Sequence, residues 1–184
     1  VILICLLGCY LRDAAHQGIP VPDHRLFERW LAAEGRTVEY HRFERRLREA
    51  GVEHVVPAWQ LWRQGTDWRD VGHPAFAVPP EAAWSAMVPT LRVLRDEVVP
   101  LVGPVEVVSG FRTDAYNAAA GGAPGSRHRW FEAIDVVPTR AWARESLHAQ
   151  LLGFWERQGR DVAMGLGLYQ HTRFHVDTWK YRRW

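Results

Sequence analysis

Ala133-Ile134-Asp135-Val136-Val137, stopped by Pro138, is the stretch on which the fold turns. Its apolar and β-branched residues read as a strand, and successive strand side chains point to opposite faces. Ala133, Asp135 and Val137 therefore share one face, and Ile134 and Val136 the other. Phe174-His175-Val176-Asp177-Thr178 alternates in the same way, with His175 and Asp177 on one side and Phe174 and Val176 directed into the core. If the two strands are neighbours, a carboxylate and an imidazole project from one surface.

Outward from these strands the period changes repeatedly. Val105 to Val108 has strand character, Thr113 is suited to cap a helix over Asp114 to Ala120, and Gly121-Gly122 ends it. A loop from Ala123 to Ser126 leads to His128. Ala141 to about Arg157 reads as a helix, and a short strand is expected near Gly165 to Tyr169. Upstream, two helical pieces run from Leu26 to Glu34 and from Glu39 to Ala50, closed by Gly35 and Gly51. Val55 to Trp62 suggests a short buried piece, and Gly65 to Pro80 a long ordered loop. Pro80, Trp84, Met87, Leu91, Leu94 and Val98 recur at helical spacing, with Pro100 expected to end that core helix. The fold class is α+β, a single domain whose helical N-terminal half packs on a small, mostly antiparallel sheet.

At 184 residues the chain suits one domain with a sizeable core. A net charge of +2 is too small for the concentrated basic face that nucleic acid requires, so no nucleic-acid partner is expected. The 10 tryptophans are scattered, which suggests core and groove lining rather than a stripe. Both cysteines, Cys5 and Cys9, lie in the opening run, so the domain has neither a disulfide nor a thiolate ligand. That run ends in Leu6-Leu7-Gly8-Cys9 and resembles a lipobox, although no basic stretch precedes it. It reads either as an export signal with a lipid anchor at Cys9 or as a buried first strand. On the export reading, residues 1–23 are signal remnant and tether and residues 24–184 the domain, located in the cell envelope on the periplasmic side.

His128 sits on the loop entering the first strand and can swing over the surface that carries Asp135 and His175. Two imidazole nitrogens and one carboxylate oxygen suit a catalytic zinc whose fourth position stays open to water. Spacing alone does not decide this, because a histidine seven residues before an aspartate is common. The flanking sequence adds to it. Val108-Ser109-Gly110-Phe111-Arg112-Thr113-Asp114-Ala115-Tyr116-Asn117, then Gly121 to His128, then Ala133-Ile134-Asp135, and finally Phe174 to Thr178 form ordered blocks. Together they resemble the zinc D-alanyl-D-alanine carboxypeptidases and their peptidoglycan endopeptidase relatives (peptidase M15-like). The family pattern is close to Ser-Gly-Tyr-Arg-Ser, Tyr-Asn, Gly-Gly-Ala, Ser-x-His-x-x-Gly-x-Ala-x-Asp and a final His-Val/Ile-Asp-Thr. The motif-bearing part runs from 105 to 184.

The resemblance implies that His128, Asp135 and His175 ligate Zn2+ and that peptidoglycan stem peptides are the partners; a monomer is expected. Arg112 would hold a substrate carboxylate or carbonyl and stabilise the oxyanion, or else form a structural ion pair with Asp114 or Asp135. Ser109 and Ser126 would bind substrate or orient the metal loop. Asp177 would fix a ligand's orientation, or cap a turn.

Two departures stand out. Phe131 occupies the position of the family's glycine, which is expected to change the loop after His128, and Thr172 stands where a residue three before the second histidine is often acidic. His171 is then the nearest proton carrier, sharing a face with Arg173 and His175 if the strand is extended and unbulged. Glu132 is a weaker substitute because it points away from Asp135. Three functions fit: a zinc D,D-carboxypeptidase or endopeptidase acting through a metal-bound water, a peptidase for another small peptide, and a catalytically inactive zinc-containing wall-binding protein.

Overall fold

The computed structural model describes residues 15–16 and 19–184, so the expected anchor at Cys9 lies outside the described residues. A two-rung antiparallel ribbon, β1 (Ala15–His16) with β2 (Ile19–Pro20), leads into the helical half. Helix α1 (His24–Ala33) begins at Asp23, whose Oδ1 accepts from the Leu26 N–H at 2.7 Å, satisfying one of the donors that a helix start leaves open. Phe27 and Leu31, four residues apart, give α1 a buried stripe, and Tyr40, Phe43 and Leu47 do the same for α2 (Thr37–Glu49). The rings of Phe27, Tyr40 and Phe43 meet Trp62, Phe76 and Trp84 in edge-to-face and tilted contacts with centroids 5.2 to 6.1 Å apart. The scattered aromatics of this half are therefore mostly core.

A 3₁₀ turn over Ala58–Trp62 docks the helical half against the edge of the sheet. Gly110 donates to the Arg63 carbonyl and Phe111 to that of Leu61. The approach is so close that a Cβ on Gly110 would lie 2.1 Å from the Leu61 oxygen, so only glycine fits there.

The expected core helix is present, but Pro100 does not end it. A 3₁₀ segment (Glu81–Met87) passes into α3 (Val88–Val93), a π-helical stretch (Leu94–Val98) and α4 (Val99–Val102), and termination falls at Gly103 with φ 86°. Proline cannot donate and its ring crowds the carbonyl four residues back. The wide turn resolves both problems, with the Val99 N–H bonding back to the Leu94 carbonyl and Pro100 lying in the first turn of α4.

The remaining chain forms a sheet of β3 (Val105–Ser109), β4 (Ala133–Pro138), β5 (Gly165–Leu168), β6 (Phe174–Asp177) and β7 (Arg182–Arg183), ordered β3-β4-β6-β5-β7. All pairings are antiparallel except β5 with β7. Between β3 and β4 come α5 (Asp114–Ala119), started by the Thr113 hydroxyl as expected, and a 3₁₀ turn (Arg127–Trp130); α6 (Arg144–Gln158) lies between β4 and β5. Ile134, Val136, Leu166, Phe174 and Val176 join one core with Leu147, Leu151 and Phe154 of α6. Register aligns Ser109 with Asp135, Asp135 with His175 and His175 with Gly167, so one row of neighbours crosses four strands.

Candidate metal centre

That row, together with the loop before β4, builds the site. His128 lies in the 3₁₀ turn, and its Nδ1 is 2.8 Å from the Gly110 carbonyl oxygen. A carbonyl only accepts, so Nδ1 carries the proton and Nε2 keeps its lone pair when the ring is neutral. His175 Nε2 lies 2.9 Å from Asp177 Oδ2, which in the neutral ring leaves its Nδ1 as the lone pair. The two lone-pair nitrogens stand 3.2 Å apart, and Asp135 Oδ1 lies 3.2 Å from the first and 3.0 Å from the second. All three side chains are buried.

Three acceptors facing one another at this distance are unfavourable unless a cation lies between them. A tetrahedral ion with donors at roughly 2.0–2.1 Å would space those donors about 3.3 Å apart, so the set fits a small divalent metal. Without an ion, a proton takes that place. Burial alone would lower the His175 pKa, but the hydrogen bonds and charges of Asp135 and Asp177 outweigh it and raise it above its ordinary 6.5. His128 goes the other way, down to about 4, because burial and Arg112 outweigh Asp135. Burial pushes the Asp135 carboxyl up, yet His128, His175 and Arg112 hold it well below its ordinary value.

Arg112 donates to Asp135 Oδ2 at 2.8 Å, to Ser109 Oγ at 2.8 Å and to the Gln64 carbonyl at 3.1 Å. Of its expected partners it takes Asp135, while Asp114 pairs with Arg129. Arg112 thus orients the free carboxylate oxygen away from the histidines. Asp177 holds His175 and is gripped by Arg182 at 2.7 and 3.0 Å. Gly165 makes room for it, since a Cβ there would meet Oδ2 at 2.4 Å. Ser126 lines the cavity beside His128, but its hydroxyl does not cap the turn.

Phe131 takes the loop after His128 through a left-handed turn, φ 57°, the conformation glycine favours, with its phenyl ring buried. Phe131 is fully buried against Phe43 and Phe111, so burial offsets a backbone cost of about 1 kcal/mol or more. His171 is not on an extended strand. It has φ 62° in the exposed β5–β6 turn, closed by Tyr169 N–H to the Arg173 carbonyl, and does not line the cavity. Glu132 pairs with Arg127 and is likewise outside it.

A cavity of about 590 Å³ opens above the three donors. Its lining includes Asp67, Tyr116, Tyr169, Arg173, Arg182 and Trp184, none of which stood out as a site residue in the sequence. Trp184 lies 4.9 Å from the His175 ring, over Gly167, where a Cβ would strike the indole at 2.8 Å. Burial and the charge of Asp135 push the Tyr169 phenol up to about 12. Strand parity with His175 was the available signal for Arg173; Tyr116 lies in the short helix α5, and the others come from loops and a two-residue strand that carry no period.

A buried carboxylate and two imidazoles whose free acceptors converge beneath an open cavity define a candidate single-metal centre. The sequence model of the family Peptidase M15 matches residues 53–177, well over half of the chain, and the chain belongs to that metallopeptidase family. The match begins far upstream of the motif-bearing part and takes in the 3₁₀ turn and core helix of the first half. No curated protein and no solved structure matches the chain significantly.

Proposed function

We propose that the chain is a zinc-dependent peptidoglycan peptidase that hydrolyses D-Ala-containing bonds of stem peptides, as a D,D-carboxypeptidase or endopeptidase, in the cell envelope. The observation that carries this reading is the convergence of His128 Nε2, His175 Nδ1 and Asp135 Oδ1 within 3.2 Å of one another under an open cavity. Zinc bound there would supply a Lewis acid and water of lowered pKa. The chain's own residues hold the geometry: Gly110 and Asp177 set the two tautomers, and Arg112 neutralises the second carboxylate oxygen. Tyr169 stays protonated far above neutrality and is a hydrogen-bond donor for a substrate oxygen near Asp135. Asp67 is the carboxylate other than Asp135 that lines the cavity, and so a proton carrier to test in place of His171.

Thr172 in place of an acidic residue supports a second reading, a zinc-containing wall-binding protein without turnover. Metal analysis of the purified chain followed by digestion of cross-linked muropeptides separates the two. About one equivalent of zinc with loss of terminal alanine or separation of stems supports the enzyme. Bound zinc with no mass change supports the binder, and absence of bound metal defeats both. Fatty-acid labelling tests the proposed anchor at Cys9.

A further inference from the structure

Arginine usually lies in the solvent and tryptophan beneath it, and beside the mouth of the cavity that order is inverted. Among the described residues the exposed large hydrophobic side chains are Val38 and three indoles, Trp130, Trp179 and Trp184, the indoles at 43 to 55%. The three belong to one ladder. Arg127 stands with its Cζ 4.6 Å from the rings of both Trp130 and Trp179, and Arg182 stands 5.1 Å from Trp179 and 4.9 Å from Trp184. The two arginine side chains are only 14 and 28% exposed, so the rings are held toward solvent by cations less exposed than they are.

These cations are already committed. Arg127 pairs with Glu132, Arg182 with Asp177, and Arg129, 5.0 Å from Trp130, with Asp114. The ladder therefore offers no unpaired charge to an anion, and a lipid surface would have to draw three ion pairs out of water to cover the rings. What it does offer is a row of ring-sized apolar faces, each bordered by a guanidinium and fixed in direction before anything binds. A pyranose has the matching surface. Polarised C–H bonds on its faces meet the negative face of an indole, and the oxygens around its edge accept from guanidinium N–H groups. The inner end of the ladder reaches the metal centre: Arg127, Arg182 and Trp184 line the cavity, and the Trp184 ring is 4.9 Å from that of His175. Trp130 and Trp179 lie outside the cavity lining, so a linear chain stacked on them would present a side branch to the three donors.

We infer that Trp130, Trp179 and Trp184, held apart by Arg127 and Arg182, form a platform on which an uncharged glycan strand stacks while the peptide it carries enters the metal cavity. The peptide branch rests on the peptidase reading above. The stacking does not, and it is tested without turnover.

The probe is the β-1,4-linked tetramer of N-acetylglucosamine, titrated calorimetrically into the zinc-loaded full chain. Binding should saturate, and its Kd should change less than about twofold between roughly 0.05 and 0.5 M salt, because no net charge is exchanged. Trp179→Ala should weaken it about tenfold, the size of one lost ring contact, and Trp130→Ala by a smaller factor. Trp179→Phe should retain most of the affinity, and all three variants should keep the zinc content of the wild type. In Trp179→Ala the ratio of kcat/KM for a glycan-bearing muropeptide to that for the same peptide without sugar should also fall about tenfold. If Trp179→Ala does not fold, Trp130→Ala decides alone. Absence of saturable binding in the wild type, or wild-type affinity in the alanine variants, overturns the platform. Binding that salt abolishes, or binding to vesicles of anionic phospholipid in place of the tetramer, overturns it as well. If peptides are cleaved and the tetramer is not bound, the enzyme stands and the platform falls. If the tetramer is bound through Trp179 and no muropeptide is cleaved, the platform stands and the peptidase reading falls.

Discussion

Arg63 with Glu106 and Asp135 with its two histidines are both buried charged clusters hung on neighbouring strands, and the molecule resolves them in opposite ways. The fully buried Arg63 donates to Glu106 Oε1 at 2.8 Å, to the Val107 carbonyl at 2.5 Å and to the Pro22 carbonyl at 3.0 Å, and it stacks 4.4 Å from Trp59. Only its Nη2 lacks a partner among the described residues. There, donors meet acceptors and the result is a clamp between the helical half and β3. At the other cluster acceptors meet acceptors, and the balance is restored only by a proton or an ion. Burial and charge are common to both. What separates a clamp from a binding site is the surplus of one hydrogen-bonding sense.

The contrast breaks most sharply at His175. His175→Ala should reduce bound metal from about one equivalent to near zero and peptidase turnover by roughly a thousandfold or more, read by elemental analysis and muropeptide digestion. Retained metal would show that the three donors do not act together. Arg63→Ala should instead cost about 3–5 kcal/mol in denaturant unfolding, because Glu106 is left buried without its cation, and should leave metal stoichiometry in the folded fraction intact. A loss below about 1 kcal/mol would mean that the clamp is not one.

Smaller effects sharpen the same distinction. Asp177→Asn keeps the shape but weakens the hold on His175, and should lower metal affinity about 10- to 100-fold in competition with a chromophoric chelator. The pH dependence has a definite sign. In the metal-free site His175 is raised above 6.5, so its contribution to folding is complete below 6.5 and lost as pH rises through the raised value. His128, depressed to about 4, weakens folding as pH falls from 6.5 toward 4. Metal binding at pH 6 should therefore release about one proton, from His175 and not His128, in calorimetric titrations across two buffers. No release at pH 6 would contradict the assignment.

Side-chain parity placed Asp135 and His175 on one face of neighbouring strands, and the register pairs them; it was the resemblance of the flanking blocks, not spacing, that joined His128 to them as a metal set. The two helices that carry Phe27, Leu31, Tyr40, Phe43 and Leu47 were legible from the glycines that close them, Gly35 and Gly51. Arg63 was not, because its partners lie 41 to 44 residues away and no local pattern announces them. Pro100 misled because a proline normally ends a helix, and only tertiary packing stabilises the π turn that lets the chain continue. His171 failed on one left-handed residue, which takes the turn out of the strand geometry that parity assumes.

Phe131 has a consequence for how the molecule could be cut or borrowed. Every candidate ligand lies after residue 105, yet the ring at the close of the histidine turn is seated on Phe43 of α2, a helix upstream of the region shared with the family. A fragment beginning at the first sheet strand would keep all three ligands and lose the wall against which their loop is set. The helices are in this sense the mould of the metal loop, and transplanting the motif alone would carry the letters of the site without its shape.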